Sequence, residues 1–417
     1  MCTPDTPPPT VPALDAGDFL LILQSLLHHR QGKHHAHHPS WLAAADFAHH
    51  TWQEYGQNYG QDPADNTAYA AFCAMFGISP PTPPPHATFG QTADAAYACW
   101  AAGKHTVTFF TSGSTGTPKP CPHSEGMLLQ ELADVLPLLA PLPPRQGALV
   151  TVPLHHLYGF TFGLLLPKAL GIPLRVEAPL PTAIARQMLP GDVVIGIPLL
   201  WTGLATLRRV PCHDALLLSA TAPLPDASLN TLCDHGFSCL EIFGASETGA
   251  LGYRQRGHSP FTLFPRFSRV TNTNGCTLRR TLPNGDTCLL PLQDTHHWLD
   301  ERHFVPQGRK DHAVQVGGIN VYPEQVAKVL AGHPGVRECV VRLMRPEEGK
   351  RLKAFVVPTA QATRQLVQEL RALARERLRV EERPAAYTLG AVLPRNHMGK
   401  LTDWQAGKRG SSAFSVE

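Results

Sequence analysis

The stretch TFFTSGSTGTPKPCPHS, from Thr108 to Ser124, combines residue types that can hold phosphate. An apolar alternation predicts a strand at its start, two glycines permit tight turning within it, and a helix is predicted from Ser124. Backbone N–H groups and hydroxyls in such a loop can bind phosphate oxygens, with Lys119 adding a positive charge. The alternative is an ordinary Ser/Gly turn. A Walker A loop is excluded, because Thr117 and Pro118 separate the last glycine from the lysine.

Three later segments carry side chains that such a site could use. VPLHHLYGF contains His156, which is alternatively a core histidine beside Tyr158 and Phe160. IFGASETG ends a predicted strand with Glu247, a carboxylate of the kind that Mg²⁺ prefers, or alternatively a helix N-terminal charge. LPRNHMGKLTDW contains Lys400, which taken alone is a solvated lysine.

Taken together, these segments resemble the acyl-adenylate-forming superfamily, which includes acyl- and aryl-CoA ligases, peptide-synthetase adenylation domains and firefly luciferase. TSGSTGTPK is similar to its phosphate-loop signature, and five further segments follow in the family's order as far as Trp404. The resemblance implies a phosphate site formed by Thr111, Ser112, Gly113, Ser114, Thr115, Gly116, Lys119 and Ser246.

The same resemblance implies a nucleotide site, in which Phe243 would stack on adenine and an aspartate and an arginine would hold the ribose. Its implied members are Ala220, Thr221, Phe243, Gly244, Asp294 and Arg309. The sequence departs from the family here, since Ala220 and Thr221 stand where glycines are common. Gln293 stands where a glycine normally precedes the aspartate, which leaves Asp300 as a competing assignment.

The catalytic residues that the resemblance implies are Lys400, Glu247 and His156. Lys400 would reach the substrate carboxylate and the α-phosphate, and Glu247 would bind Mg²⁺. Asp311 falls at the family's hinge position, which implies rotation of a small domain between two half-reactions. The implied acyl pocket contains His156, Tyr158, Phe160 and Gly244.

The activity implied is ATP-dependent conversion of an aryl or medium-chain carboxylic acid to acyl-AMP, followed by transfer to a phosphopantetheine thiol. In its length and in the segment GASETGALGYRQRGHSPFTLFP, the chain resembles compact ligases associated with aryl-polyene and xanthomonadin gene clusters. This resemblance favours an acyl carrier protein as the partner. A CoA ligase or a stand-alone adenylating enzyme is the alternative, and a non-catalytic adenylate-binding protein is a third possibility. A Walker-type NTPase is disfavoured by the missing Gly-Lys-Ser/Thr.

These residues must be positioned by an α/β fold, because short β-rich runs alternate with helical ones from Thr106 to about Gly249. We expect a large N-terminal domain, residues 1–310, with mainly parallel, helix-covered sheets and a shortened helical part at 1–105. A small mobile α+β domain is expected at 311–417. Ligands of such sheets bind beyond the carboxyl ends of the strands.

Composition excludes several other classes of protein. The 417 residues are 43% hydrophobic and 17% charged with a net charge of +3, which gives no signature of nucleic-acid binding. No apolar run reaches the length of a membrane span, and we expect a cytoplasmic protein. The ten cysteines form no CxxC pair and are expected to be reduced. Six histidines in the segment 28–38 could hold a metal, but a solvated loop is favoured.

Overall fold

The fold is taken from a computed structural model, which describes residues 12–31, 44–59, 67–79, 83–103, 105–111, 119–210, 214–270, 277–309, 313–345, 347–394 and 401–405. These residues form two compact units. The larger contains the described residues up to Thr111 and from Lys119 to Gln307, and the smaller contains those from Gly308 onward. The expected boundary between residues 310 and 311, with the hinge at Asp311, lies outside the described residues and stays a prediction.

Ten α-helices are described in the larger unit. They are α1 (Ala16–Gln31), α2 (Ala44–His49), α3 (Trp52–Tyr59), α4 (Thr67–Phe76), α5 (Phe89–Ala101), α6 (Glu125–Leu139), α7 (Leu166–Leu170), α8 (Pro181–Gln187), α9 (Pro198–Ala205) and α10 (Asp226–Asp234). A π-helix, Gly159–Leu165, runs directly into α7. Because α1 to α5 lie within residues 16–101, the N-terminal part of the described chain is helical.

The strands of the larger unit begin after α5. They are β1 (Thr106–Thr111), β2 (Lys119–Ser124), β3 (Gly147–Val150), β4 (Leu174–Val176), β5 (Asp192–Gly196), β6 (Leu216–Ser219), β7 (Ser238–Ala245), β8 (Gly249–Arg254), β9 (Phe261–Leu263), β10 (Phe267–Arg269), β11 (Thr277–Thr281), β12 (Thr287–Pro291), β13 (Asp294–Trp298) and β14 (His303–Arg309). The predicted α/β class is confirmed.

A nine-stranded sheet organises the larger unit, in the order β13-β14-β9-β8-β7-β6-β5-β3-β4. The five neighbouring strands β4, β3, β5, β6 and β7 run parallel to one another. The pairs β7–β8, β8–β9 and β9–β14 are antiparallel. β3, β5 and β6 are buried along their whole length, as expected for parallel strands covered by helices on both faces. Strand β7 therefore separates a parallel half from an antiparallel half.

The predicted strand at Thr106 forms, but it lies outside this sheet. β1 pairs antiparallel with β2, and Thr111 lies opposite Lys119, so that the two strands close on the loop between them. Helix α6 follows directly, with the Ser124 hydroxyl as its N-cap acceptor for the backbone N–H of Met127 at 3.3 Å. Lys119 is thus a strand residue and not part of the loop.

The apolar side of α6 faces the core, because its leucines and valine recur at helical spacing. Leu128, Leu132, Val135 and Leu139 are buried. They join one large core that also contains residues of α1, α4, α5 and the parallel strands. This packing fixes β2 and α6 against the main sheet.

The smaller unit is the expected α+β structure. Its elements are β15 (Val314–Val316), β16 (Ile319–Val321), α11 (Pro323–Ala331), β17 (Val336–Leu343), β18 (Leu352–Pro358), α12 (Leu366–Arg377) and β19 (Ala386–Leu389). β17 is antiparallel to β18, and β19 is parallel to it. Gly317 and Gly318, both with positive φ, form the turn between β15 and β16. Among the helices described, none is long and apolar enough to cross a membrane.

Candidate active site

Two segments far apart in the sequence meet at the turn between β7 and β8. The Nζ of Lys119 lies 3.7 Å from Oε1 of Glu247, and the side chains are 55% and 23% exposed. The first residue comes from the predicted phosphate loop and the second from the predicted metal-binding segment. Their proximity places a cation and a carboxylate together at a partly open surface, where both can reach a ligand.

Most of the predicted phosphate loop lies outside the residues that the structure describes. The backbone of Thr111 ends β1, but its side chain and residues Ser112, Gly113, Ser114, Thr115 and Gly116 lie outside the described residues. Ser246 is half-buried beside Glu247 in the β7–β8 turn. The assignment of these residues to phosphate stays a prediction.

Gly244 is required where β7 and β8 approach each other. A Cβ atom at this position would lie 2.3 Å from the carbonyl oxygen of Gly249. The strand register shifts between Phe243 and Gly244, which marks a bulge. The bulge leads directly into the turn that carries Glu247.

Phe243 lies in an aromatic cluster that the sequence alone does not reveal. Its ring centroid is 5.3 Å from that of His296 and 5.5 Å from those of Phe261 and Phe304. Trp298 extends the cluster, 5.2 Å from Phe304. Strands β7, β9, β13 and β14 thus provide aromatic surface beside the predicted adenine position.

The turn after β6 has an unusual backbone. Thr221 adopts φ +79°, a left-handed conformation that β-branched residues rarely occupy. This explains why glycine is common here in the family. The Thr221 hydroxyl oxygen is buried and, within the part of the chain that is described, has no hydrogen-bond partner. Ala220 is buried next to it.

The predicted acyl-pocket residues differ in their surroundings. His156 is exposed, with its ring centroid 4.4 Å from that of His155. The Tyr158 hydroxyl donates a hydrogen bond of 3.1 Å to the carbonyl of Gly196 at the end of β5, and burial raises its pKa well above the usual value. Phe160 is fully buried and packs edge-on against Phe109 at 5.4 Å, so it supports this region from the core.

Asp300 is engaged in its own turn. Its carboxylate accepts hydrogen bonds from the backbone N–H groups of Arg302 and His303, each at 2.7 Å, and from the His303 ring. These hydrogen bonds lower the pKa of Asp300 to about 2. Asp300 is thus engaged in its own turn, and the assignment of the ribose ligand to Asp294, the half-buried first residue of β13, stays a prediction.

The remaining predicted site residues belong to parts of the chain that the structure does not describe. Three of them lie outside the described residues: the side chain of Arg309 and the whole of Asp311 and Lys400. Most of the histidine-rich segment 28–38 also lies outside. Of the described residues, no group of three or more His, Cys, Asp or Glu side chains could hold a metal. A single carboxylate such as Glu247, completed by phosphate oxygens, is nevertheless a donor set that suits Mg²⁺.

The fold and these motifs define an adenylate-binding class of enzyme, and comparison with known proteins identifies the family. Residues 37–275 match the model of the AMP-binding enzyme family, and residues 325–400 match that of the AMP-binding enzyme C-terminal domain. The chain therefore belongs to the AMP-binding enzyme family.

Two curated relatives are 4-coumarate–CoA ligases. The chain is 40% identical to the Rhodobacter capsulatus protein over 299 residues, covering 71% of this chain and 74% of the relative. It is 38% identical to the Halorhodospira halophila protein over 306 residues, covering 72% and 76%.

A solved structure, an amide bond synthetase from Marinactinospora thermotolerans, matches 92% of both chains with a TM-score of 0.59 at 16% identity. This likeness concerns the fold.

Proposed function

We propose that the protein is an ATP-dependent, AMP-forming ligase that activates an aryl carboxylic acid and transfers the acyl group to coenzyme A. The observation that carries the proposal is the 3.7 Å pairing of Lys119 with Glu247. It brings together two of the motifs expected in an adenylate-forming site. Membership of the AMP-binding enzyme family supports the nucleotide, and the CoA-ligase relatives support the acceptor.

The proposed acceptor differs from the one that the sequence favours. The resemblance to aryl-polyene and xanthomonadin ligases pointed to an acyl carrier protein, whereas the two relatives that cover most of the chain are 4-coumarate–CoA ligases. We therefore place CoA first and an acid of the 4-coumarate type as substrate. The Tyr158 ring, fixed through its hydroxyl to Gly196, would form one apolar wall for the aromatic ring of the acid.

In the first half-reaction two anions must approach each other, so the site has to reduce their repulsion. A carboxylate oxygen attacks the α-phosphorus of ATP, the bond to pyrophosphate breaks, and acyl-AMP forms. Lys119 would bind the departing phosphates, and Lys400 would bind the carboxylate and the α-phosphate oxygens. Mg²⁺ held by Glu247 and phosphate oxygens would neutralise the charge on pyrophosphate.

In the second half-reaction the thiol sulfur attacks the acyl carbon, and AMP leaves with the electrons of the broken anhydride bond. The thiol proton is lost to solvent. Neither step requires a covalent enzyme intermediate, so correct positioning of the substrates accounts for most of the rate that the protein contributes.

The test is ATP–pyrophosphate exchange with a panel of hydroxycinnamic, benzoic and medium-chain fatty acids. CoA and a purified holo acyl carrier protein are then offered as alternative acceptors. We expect exchange to be strongest with hydroxycinnamic acids and thioester to form with CoA. Absence of exchange with every acid would refute the ligase proposal, and transfer to the carrier protein alone would refute the acceptor.

A further inference from the structure

Beneath the β7–β8 turn lie four ionisable side chains that are withdrawn from solvent. We call this set the ionic platform: His123 of β2, Glu131 of α6, Arg266 before β10, and Arg280 of β11. Their exposed fractions are 1%, 1%, 6% and 1%. Ionisable side chains are rarely buried so deeply unless they are paired. Arg266 is paired with Asp134 of α6, and the position of the other three residues under a candidate active-site turn requires an explanation.

The platform contacts the main chain of the turn and the start of β8 at every second residue. His123 Nε2 donates a hydrogen bond to the carbonyl of Ser246 at 2.7 Å, and Arg280 Nη1 contacts the carbonyl of Thr248 at 3.4 Å. Arg266 Nη2 donates to the carbonyl of Ala250. The carbonyl of Ser246 before Glu247 and those of Thr248 and Ala250 after it are thus held from within the protein.

The Glu131 side chain lies against Gly249, the residue that directly follows the turn and begins β8. Gly249 has φ +70°, and a Cβ atom there would lie only 1.8 Å from Oε1 of Glu131. The carboxylate occupies the space where any other residue would place its side chain. Glycine is therefore required at position 249 for two reasons: the backbone is left-handed, and the Glu131 side chain leaves no space for a Cβ atom.

Stability alone does not account for such a cluster. Burial lowers the pKa of His123 and Arg280, and that of Arg266 to about 10. The burial of charged groups offsets much of their mutual attraction, and apolar residues of similar volume are often at least as stabilising. Within the described residues, His123 Nδ1, Glu131 Oε1 and Arg280 Nη2 have no hydrogen-bond partner, so pairing inside the cluster does not account for it either. What the cluster does provide is the row of contacts with main-chain carbonyls.

The strand β2 connects the platform to the ion pair at the surface. Lys119 and His123 are four residues apart on β2 and so lie on the same face of the strand. Lys119 contacts the Glu247 side chain, while His123 binds the carbonyl of Ser246. One strand therefore holds the turn at two points.

We propose that the ionic platform is a positioning device for the nucleotide, in which His123 fixes the Ser246 carbonyl so that Ser246 and Glu247 are pre-arranged for the phosphates of Mg·ATP. This inference rests on the proposed function for its ligand. It assigns positioning roles to the four platform residues, which neither the motif resemblance nor the site prediction included.

The experiment compares His123→Leu, which removes the donor, with His123→Gln, whose side-chain amide can place an N–H near the position of Nε2. Michaelis constants for ATP and for the acid are measured in pyrophosphate exchange, and ATP affinity is measured separately by calorimetry with Mg²⁺. We expect His123→Leu to weaken ATP binding about tenfold with the acid constant unchanged, since one buried hydrogen bond is lost. We expect His123→Gln to restore most of the affinity.

The matched control is Asp192→Asn. Asp192 is 2% exposed and paired with Arg175, but it begins β5 and therefore lies at the amino ends of the parallel strands, whereas the β7–β8 turn follows the carboxyl end of β7. It should lower the melting temperature while leaving ATP affinity unchanged. Equal weakening by His123→Leu and Asp192→Asn, or no difference between His123→Leu and His123→Gln, overturns the inference.

If His123→Leu does not fold, His123→Asn replaces it, because its shorter amide cannot reach the Ser246 carbonyl. The proposed ligase reaction and the proposed role of the ionic platform can be refuted independently. Lack of exchange in the wild-type protein refutes the ligase reaction, whereas calorimetric ATP binding that is unaffected by His123→Leu refutes the platform.

Discussion

The ammonium group of Lys353 lies 3.0 Å from Oδ1 of Asp403, and the lysine side chain has no exposed surface. It also pairs with Glu348 at 2.7 Å and donates to the carbonyl of Trp404 at 2.5 Å. These contacts fasten Leu401–Gln405, the segment that directly follows Lys400 in the sequence, onto β18. A buried cation in the smaller unit thus anchors the chain next to the predicted catalytic lysine.

We predict that Lys353→Met destabilises the smaller unit by about 3 kcal/mol, because the largely buried Glu348 carboxylate and the Trp404 carbonyl lose the cation that pairs with them. Denaturant unfolding measures the loss. Lys350→Met, at an exposed position nearby, should change stability by less than about 0.5 kcal/mol. A similar loss in both variants would contradict the special role of the buried lysine.

Lys400→Ala should reduce acid-dependent pyrophosphate exchange at least about a hundredfold, since it removes the charge proposed to stabilise the reacting phosphate. Thioester formation from chemically prepared acyl-AMP should remain close to that of the wild-type protein. Both half-reactions are measured on the same preparation, with Lys328→Ala on the exposed side of α11 as the control. Equal loss in the two half-reactions would count against this division of labour.

Thr221→Gly should stabilise the larger unit by about 1 kcal/mol, because glycine adopts φ +79° without the steric cost that threonine carries. Thermal unfolding should show a higher melting temperature. Thr221→Ala retains a Cβ atom and serves as the comparison. If alanine stabilises the protein as much as glycine does, relief of backbone strain is not the cause.

Gly244→Ala should destabilise the β7–β8 ribbon by about 2 kcal/mol and weaken ATP binding, since the new methyl group would overlap the Gly249 carbonyl. Calorimetry and thermal unfolding measure the two effects. A variant with normal ATP affinity would show that the close approach of the strands is not needed for the site.

Among the seven cysteines that the structure describes, Cys233 should be the thiol that alkylating reagents modify at the lowest pH. A hydrogen bond from Cys239 and the positive charge of Arg256 lower the pKa of Cys233, and the thiolate is the reactive form. The rate of iodoacetamide labelling should therefore rise with pH and level off below the range of an ordinary cysteine. Mass spectrometry identifies the site, and Cys233→Ser should abolish this early phase.

Much of the fold follows from local pattern. The buried runs at β3, β5 and β6 and the amphipathic spacing of α6 are sufficient to predict an α/β structure, since periodicity and burial act within a few residues. Strand β2 is the instructive exception. Lys119-Pro-Cys-Pro-His-Ser contains two prolines, which argue against a strand, but β2 belongs to a two-stranded ribbon where missing N–H donors are tolerated.

The residues of the candidate site were likewise predictable from the sequence only in part. Glu247 and Lys119 were predicted from motifs, and the structure brings their side chains together. The ionic platform could not be predicted, because its members are separated by up to 157 residues (280 minus 123) and each is individually typical of a solvated surface. Only the three-dimensional packing shows that they are buried. The aromatic partners of Phe243 likewise depend on the order of strands in the sheet.

The position of β7, parallel to β6 on one side and antiparallel to β8 on the other, bears on how new specificities could be engineered. The segments that follow β5 and β6 connect to helices of the parallel half, whereas the Ser246–Glu247 turn is braced by the antiparallel half and the ionic platform. A chimera joined at β7 would combine the phosphate loop and Thr221 of one parent with Glu247 and Asp294 of the other. Such a hybrid should bind ATP only where the two parents match across the β6–β7 and β7–β8 pairings, which makes β7 the strand at which their compatibility is decided.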